Sequence, residues 1–138
     1  MIEFSFKPHL SPKFGRILKP VIPATIVGPK QKMNVFTLID SGADISMIPY
    51  SAGEFLGFEF IMDTRAEVQG IGDGNIPYVL IQMLFVIGHI EFVARVGWAL
   101  VEEVPFILGR LDVFQQLNIE FREWENKIIL APGQRENS

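Results

Sequence analysis

The chain is cut into short apolar segments by Gly, Pro, Asn and Asp clusters, and this rhythm constrains its fold more than any other feature. Segments of that length are too short for a helical bundle and suit strands joined by tight turns, so a predominantly β domain with one or two short helices is expected. Val21 to Val27 and Met33 to Ile39 flank the polar stretch Gly28-Pro29-Lys30-Gln31-Lys32 and read as a hairpin. Ala66 to Ile71 and Ile76 to Leu80 flank Gly72-Asp73-Gly74-Asn75, where Asp-Gly favours a tight turn. Val79 to Ile87 and Ile90 to Val96, joined by Gly88-His89, are nearly continuously apolar and predict strands buried on both faces. Pro49 opens and Gly57 closes a short predicted helix over Tyr50 to Leu56. Leu111, Phe114 and Leu117 recur at three-residue spacing and predict a second one over Gly109 to Leu117. Ile119 to Trp124 and Lys127 to Leu130 form a terminal hairpin, which leaves residues 1–130 as one domain and 131–138 as a polar tail.

Several function classes are excluded early. The chain has 138 residues, 12 basic against 16 acidic, with no basic run, so nucleic acid is not an expected partner. The absence of Cys removes thiolate metal sites and thiol nucleophiles. No apolar run reaches the length of a bilayer span, and Met1 to Pro8 lacks the pattern of a secretory leader, so a cytoplasmic protein without membrane contact is expected. Hydrophobic residues make up 49% of a domain with little interior, and self-association would cover the excess.

The stretch Phe36-Thr37-Leu38-Ile39-Asp40-Ser41-Gly42-Ala43-Asp44 carries the chemistry. An apolar strand runs directly into a carboxylate, with a glycine that lets backbone N–H groups approach and a serine that adds a hydroxyl. Taken alone, Asp-Ser-Gly is also ordinary turn chemistry. A second apolar strand, Pro105-Phe106-Ile107-Leu108, ends in Gly109-Arg110, and the Gly-rich turn lies between the two. Other readings of these residues fail. Gly70, Gly72 and Gly74 are not followed by a helix that could seat phosphate. His9 and His89 have no ligand spacing to Asp40 or Asp44, so neither a metal nor a cofactor is expected. Ser41 has no base to make it a nucleophile. Trp98, Phe106, Phe114 and Trp124 read as core or interface.

In this order, Leu-Ile-Asp-Ser-Gly-Ala-Asp, a Gly-rich hairpin and Ile-Leu-Gly-Arg, the chain resembles the retropepsin-like (retroviral-type) aspartic peptidases over about Val35 to Leu117. The resemblance implies a closed, barrel-like all-β retropepsin fold with one lobe per subunit. It also implies a homodimer that shares one active site and hydrolyses peptide or protein substrates. Asp40 matches the catalytic aspartate, and Ser41 and Gly42 match the residues that support it. Ala43 and Asp44 match the substrate groove, and Gly70, Ile71, Gly72, Asp73 and Gly74 match the flap. Ile107, Leu108 and Gly109 match the segment packed beside the catalytic loop, and Arg110 matches an arginine that pairs with the acid at Asp44. The segment through Val27 and the tail after Leu130 do not match the terminal strands that interleave in viral dimers.

Independent arithmetic leads to the same stoichiometry. One carboxylate cannot be general base and general acid at the same instant, and a chain with a single Asp-Ser-Gly must obtain the second from a symmetric copy. The alternative is a catalytically inactive module of the same fold, used for dimerisation or for binding an extended peptide.

Overall fold

The computed structural model describes residues 1–59, 65–69 and 75–133, the segment 65–69 through its backbone. In chain order the strands are β1 (Ile2–Phe4), β2 (Lys7–Ser11), β3 (Gly15–Lys19), β4 (Val21–Val27), β5 (Lys32–Ile39) and β6 (Ser46–Ile48). After the helix α1 (Tyr50–Leu56) come β7 (Arg65–Gln69), β8 (Asn75–Ile87), β9 (Ile90–Ala99), β10 (Ile107–Leu108), β11 (Leu117–Arg122) and β12 (Lys127–Pro132). The expected hairpins β4–β5, β7–β8 and β11–β12 are antiparallel pairs. The segment Gly70 to Gly74, assigned to the flap, lies outside the described residues.

The main sheet runs β4-β5-β10-β6-β9-β8-β7, and β4 also pairs with β8 through Thr25↔Val86, Ile26↔Phe85 and Val27↔Leu84. That extra pairing closes a ring of six strands and leaves β7 outside it, which is how a small all-β domain removes sheet edges. Period-two alternation fills the ring: Ile22, Ala24 and Ile26 from β4, Met83, Phe85 and Ile87 from β8, and Phe92, Ala94, Val96 and Trp98 from β9 are all buried. A smaller sheet, β1-β12-β11, contributes Ile128 and Leu130 to the same core. Helix α1 lies against β9. Gly53 touches the Trp98 indole so closely that a side chain there would overlap it, and the indole N–H donates to the Tyr50 carbonyl at 2.9 Å. Gly57 ends the helix in the left-handed region at φ 93°. Among the described residues no helix is long and apolar enough to cross a membrane.

Three expectations are corrected. Strands β8 and β9 are not buried on both faces over their whole length, since Leu80, Gln82, Val93 and Arg95 point outward. Among the described residues the outer face of β9 meets only side chains of the turn after Gly109, through Arg95–Asp112 and the Gln116 amide on the Val93 carbonyl. The segment Gly109 to Leu117 is a pair of consecutive turns rather than a helix. Phe114 and Leu117 donate to the Arg110 and Val113 carbonyls, but Asp112 sits at φ 63°, which a right-handed helix cannot accommodate. Leu117 already belongs to β11, and β12 continues to Pro132, two residues into the expected tail.

Candidate functional site

The site forms where two apolar strands end side by side. Strands β5 and β10 are parallel, with Ile107 opposite Leu38 and Leu108 opposite Ile39. Strand β10 also pairs with β6 on its other edge, at Ile107↔Met47. A two-residue strand between two neighbours has few backbone groups left over, and those at its ends fix the loop after β5. Leu38 N–H donates to the Phe106 carbonyl at 3.0 Å, and Asp40 N–H donates to the Leu108 carbonyl at 2.9 Å. Arg110 and Leu111 return the contact, donating to the Ala43 and Asp44 carbonyls, each at 2.9 Å. The Asp40–Asp44 loop and the Gly109–Leu111 segment are thus laced together through main chain.

Asp40 leaves β5 half-buried, while Ser41 and Gly42 behind it are exposed. One carboxylate oxygen of Asp40 accepts the Gly42 N–H at 2.9 Å, and the Ala43 N–H donates to the Asp40 carbonyl at 3.2 Å. This is the Asx turn foreseen for Asp-Ser-Gly, and it fixes one oxygen of the carboxylate on the Gly42 N–H. A Cβ on Gly42 would stand 3.2 Å from that carboxylate oxygen, tighter than usual but in exposed surroundings. Gly109 has no such freedom, because a Cβ there would overlap the Ile45 carbonyl group.

Sequence reasoning missed Ser46. Its side chain is fully buried, and its hydroxyl accepts the Gly109 N–H at 3.0 Å, which ties β6 to the residue after β10. Ser46 stands inside the apolar run Ile45-Ser46-Met47-Ile48, and a lone hydroxyl in such a run was the available signal, since buried polar groups require partners.

The Asp44–Arg110 side-chain pair is corrected. Among the described residues the ion pairs are Arg95–Asp112, Arg122–Glu120, Arg122–Glu125 and Lys127–Glu125. Both Asp44 and Arg110 are exposed and line a shallow hollow with Leu111, Phe114 and Gln115. Water solvates both charges there, and the main-chain bonds alone already fix the spacing. The ordered ion pair nearby is Arg95–Asp112. One Asp112 oxygen accepts the Arg95 backbone N–H at 2.9 Å and its Nε–H at 2.8 Å, and the other accepts from Nη2 at 3.1 Å. These bonds from the Arg95 guanidinium and amide hold the Asp112 carboxyl at about 2, below its usual value. Among the described residues no cluster of three His, Asp or Glu side chains could hold a metal.

No protein-family model and no curated protein sequence matches the chain. Solved structures do match. A retropepsin-like aspartic protease from Rickettsia conorii superposes with a TM-score of 0.58 at 14% identity, covering 95% of this chain and 99% of its own. The EIAV protease, complexed with the inhibitor HBY-793, superposes with a TM-score of 0.50 at 22% identity, covering 70% of this chain and 86% of its own. The closed ring of strands is the fold of the retropepsin-like aspartic proteases.

Proposed function

We propose that the chain is an aspartic endopeptidase that works as a homodimer, each copy supplying Asp40 to one shared site. The observation that carries this reading is the setting of Asp40. Its carboxylate is oriented by the Gly42 N–H at 2.9 Å, it sits in a loop fixed by backbone to β10, and it is half-open beside exposed Ser41. A structural turn needs the Asx bond, but it does not need its carboxylate left accessible at the end of a doubly anchored loop.

The chemistry follows from pairing two such ends. Two carboxylates about 3 Å apart cannot both ionise readily, so the pair shares one proton. The ionised member takes a proton from water as its oxygen attacks the scissile carbonyl carbon, and the protonated member donates to the carbonyl oxygen. The resulting gem-diol collapses as the first carboxyl passes its proton to the amide nitrogen and the second takes a hydroxyl proton while the carbonyl re-forms. The C–N bond breaks, which releases two peptides and leaves one proton on the pair. The exposed Ser41 hydroxyl is available to bond across the twofold axis, and Ala43 and Asp44 lie along the strand of loop that an extended substrate would follow.

Digestion of unstructured proteins from acidic to neutral pH, with sedimentation in parallel, tests this. Asp40→Asn keeps the shape and removes the ionisable group, so cleavage disappears while association persists. A peptide analogue carrying a hydroxyl at the scissile position inhibits the wild-type chain. Cleavage at an undiminished rate by Asp40→Asn, or by a protein that stays monomeric throughout, overturns the proposal.

A further inference from the structure

We propose that the β2–β3 hairpin is an arm that clasps a second copy of this chain; the inference rests on the dimeric reading above and gives that dimer a contact surface. The arm pairs Lys7 to Lys19 through Ser11 to Gly15, and among the described residues neither strand pairs with any other. Its turn is well specified: the Ser11 hydroxyl accepts the Lys13 and Phe14 N–H groups at 3.3 and 3.2 Å, and Gly15 takes φ 72°. Its base is also fixed. Phe6 is buried and its N–H donates to the Asn126 side chain at 3.1 Å, while the Pro20 carbonyl accepts the Ile39 N–H at 2.9 Å. Between these anchors no side chain of the arm is fully buried: Leu18 near its base packs partly against the main core, whereas Leu10 and Phe14 at its end are 78% and 73% exposed. A two-stranded ribbon with two open edges and uncovered apolar side chains is marginal in water by itself, and packing against another surface is what normally sustains one.

Two observations identify the occupant as a second copy. The first is position. The arm springs from Pro20, bonded to the residue directly before Asp40, and extends about 14 Å from Lys19 to Gly15 at strand spacing. A copy that brings its own Asp40 to this one therefore comes close to the arm's base, within the arm's length of it. The second is charge. The arm carries Lys7, Lys13, Arg16 and Lys19 and no acid, and no Asp or Glu occurs between Glu3 and Asp40. From Asp40 onward the chain has fifteen acidic residues against six basic ones. A cationic arm with two apolar anchors therefore faces, in a second copy, a body of opposite sign, which favours encounter and register.

The test is sedimentation of the full chain over a range of concentrations at low and high salt, with peptide cleavage measured on the same samples. Leu10→Asp combined with Phe14→Asp changes only exposed side chains, so its unfolding midpoint stays near that of the wild type while association weakens by about tenfold or more. Lys13→Glu combined with Arg16→Glu weakens association at low salt, and the difference narrows at high salt. Unchanged association in both variants overturns the arm and leaves the aspartic mechanism standing. Association unchanged but cleavage lost also overturns it, and makes the hairpin a substrate contact. A wild-type chain that cleaves as a monomer removes both the arm and the dimeric reading.

Discussion

The loop that carries Asp40 and the turn segment from Arg110 to Gln116 are neighbours held by different means. Main chain bonds Asp40, Ala43 and Asp44 to the Leu108–Leu111 segment, with the buried Ser46 hydroxyl behind it. Beyond Leu111 the turn segment buries Val113 in the core and is fastened to β9 by the side chains of Asp112 and Gln116. Asp112 receives Arg95, and Gln116 donates its amide to the Val93 carbonyl at 2.9 Å. Backbone contacts between buried strands depend little on pH or on any one side chain, whereas surface side-chain contacts depend on both. The carboxylate proposed to do chemistry is thus mounted on the insensitive part, and the variable part frames the hollow beside Asp44.

The sharpest way to break this contrast is Gly109→Ala. Its Cβ would have to displace the Ile45 carbonyl, which is main chain and cannot rotate aside, so a loss of about 3 kcal/mol or more is expected in urea unfolding. A variant as stable as the wild type would mean that β10 can shift, and that the lacing is not rigid. Ser46→Ala is milder. It strands the Gly109 N–H in a buried place and costs about 1–3 kcal/mol, with a proportionately larger loss of cleavage if the loop position matters to the reaction. Loss of stability without any change in cleavage would separate Ser46 from the site.

How much of this was legible in the sequence differs between the same two regions. Period-two apolar segments ending in Asp-Ser-Gly and Leu-Gly are local signals, and the β4–β5 hairpin, helix α1 and the place of Asp40 at a strand end follow from them. The N-terminal strands were not legible. Gly15-Arg16-Ile17-Leu18-Lys19 buries no side chain fully, so it has no inside-outside alternation to read. The turn at Gly109 to Leu117 was misread because Leu111, Phe114 and Leu117 do share a spacing of three, which consecutive turns satisfy as well as a helix does. The deciding residue is Asp112, whose short polar side chain tolerates φ 63° and is pinned there by Arg95 from a strand seventeen positions earlier. The Asp44–Arg110 pairing was drawn from resemblance, and exposure of both groups leaves their connection to the backbone.

Asp112→Asn gives the smallest effect and the most discriminating one. Asparagine also tolerates a left-handed backbone, and its side-chain oxygen can still accept the Arg95 amide, so the change removes charge without removing the turn. Because Asp112 titrates at about 2 in the folded chain and near 3.8 when free, the unfolded chain binds the proton more readily between those values. Stability from the contact is therefore fully present above about pH 4 and is lost as pH falls through about 2. Urea midpoints followed by tryptophan fluorescence should show a small advantage of the wild type at neutral pH, shrinking across that window until the two proteins coincide. Cleavage at neutral pH should be nearly unchanged, since the Asp40 loop does not depend on Asp112 for any hydrogen bond. A wild-type advantage that persists unchanged to pH 2 would show that Asp112 acts through its shape alone. A large loss of cleavage would show that the turn segment and the Asp40 loop are one mechanical unit after all.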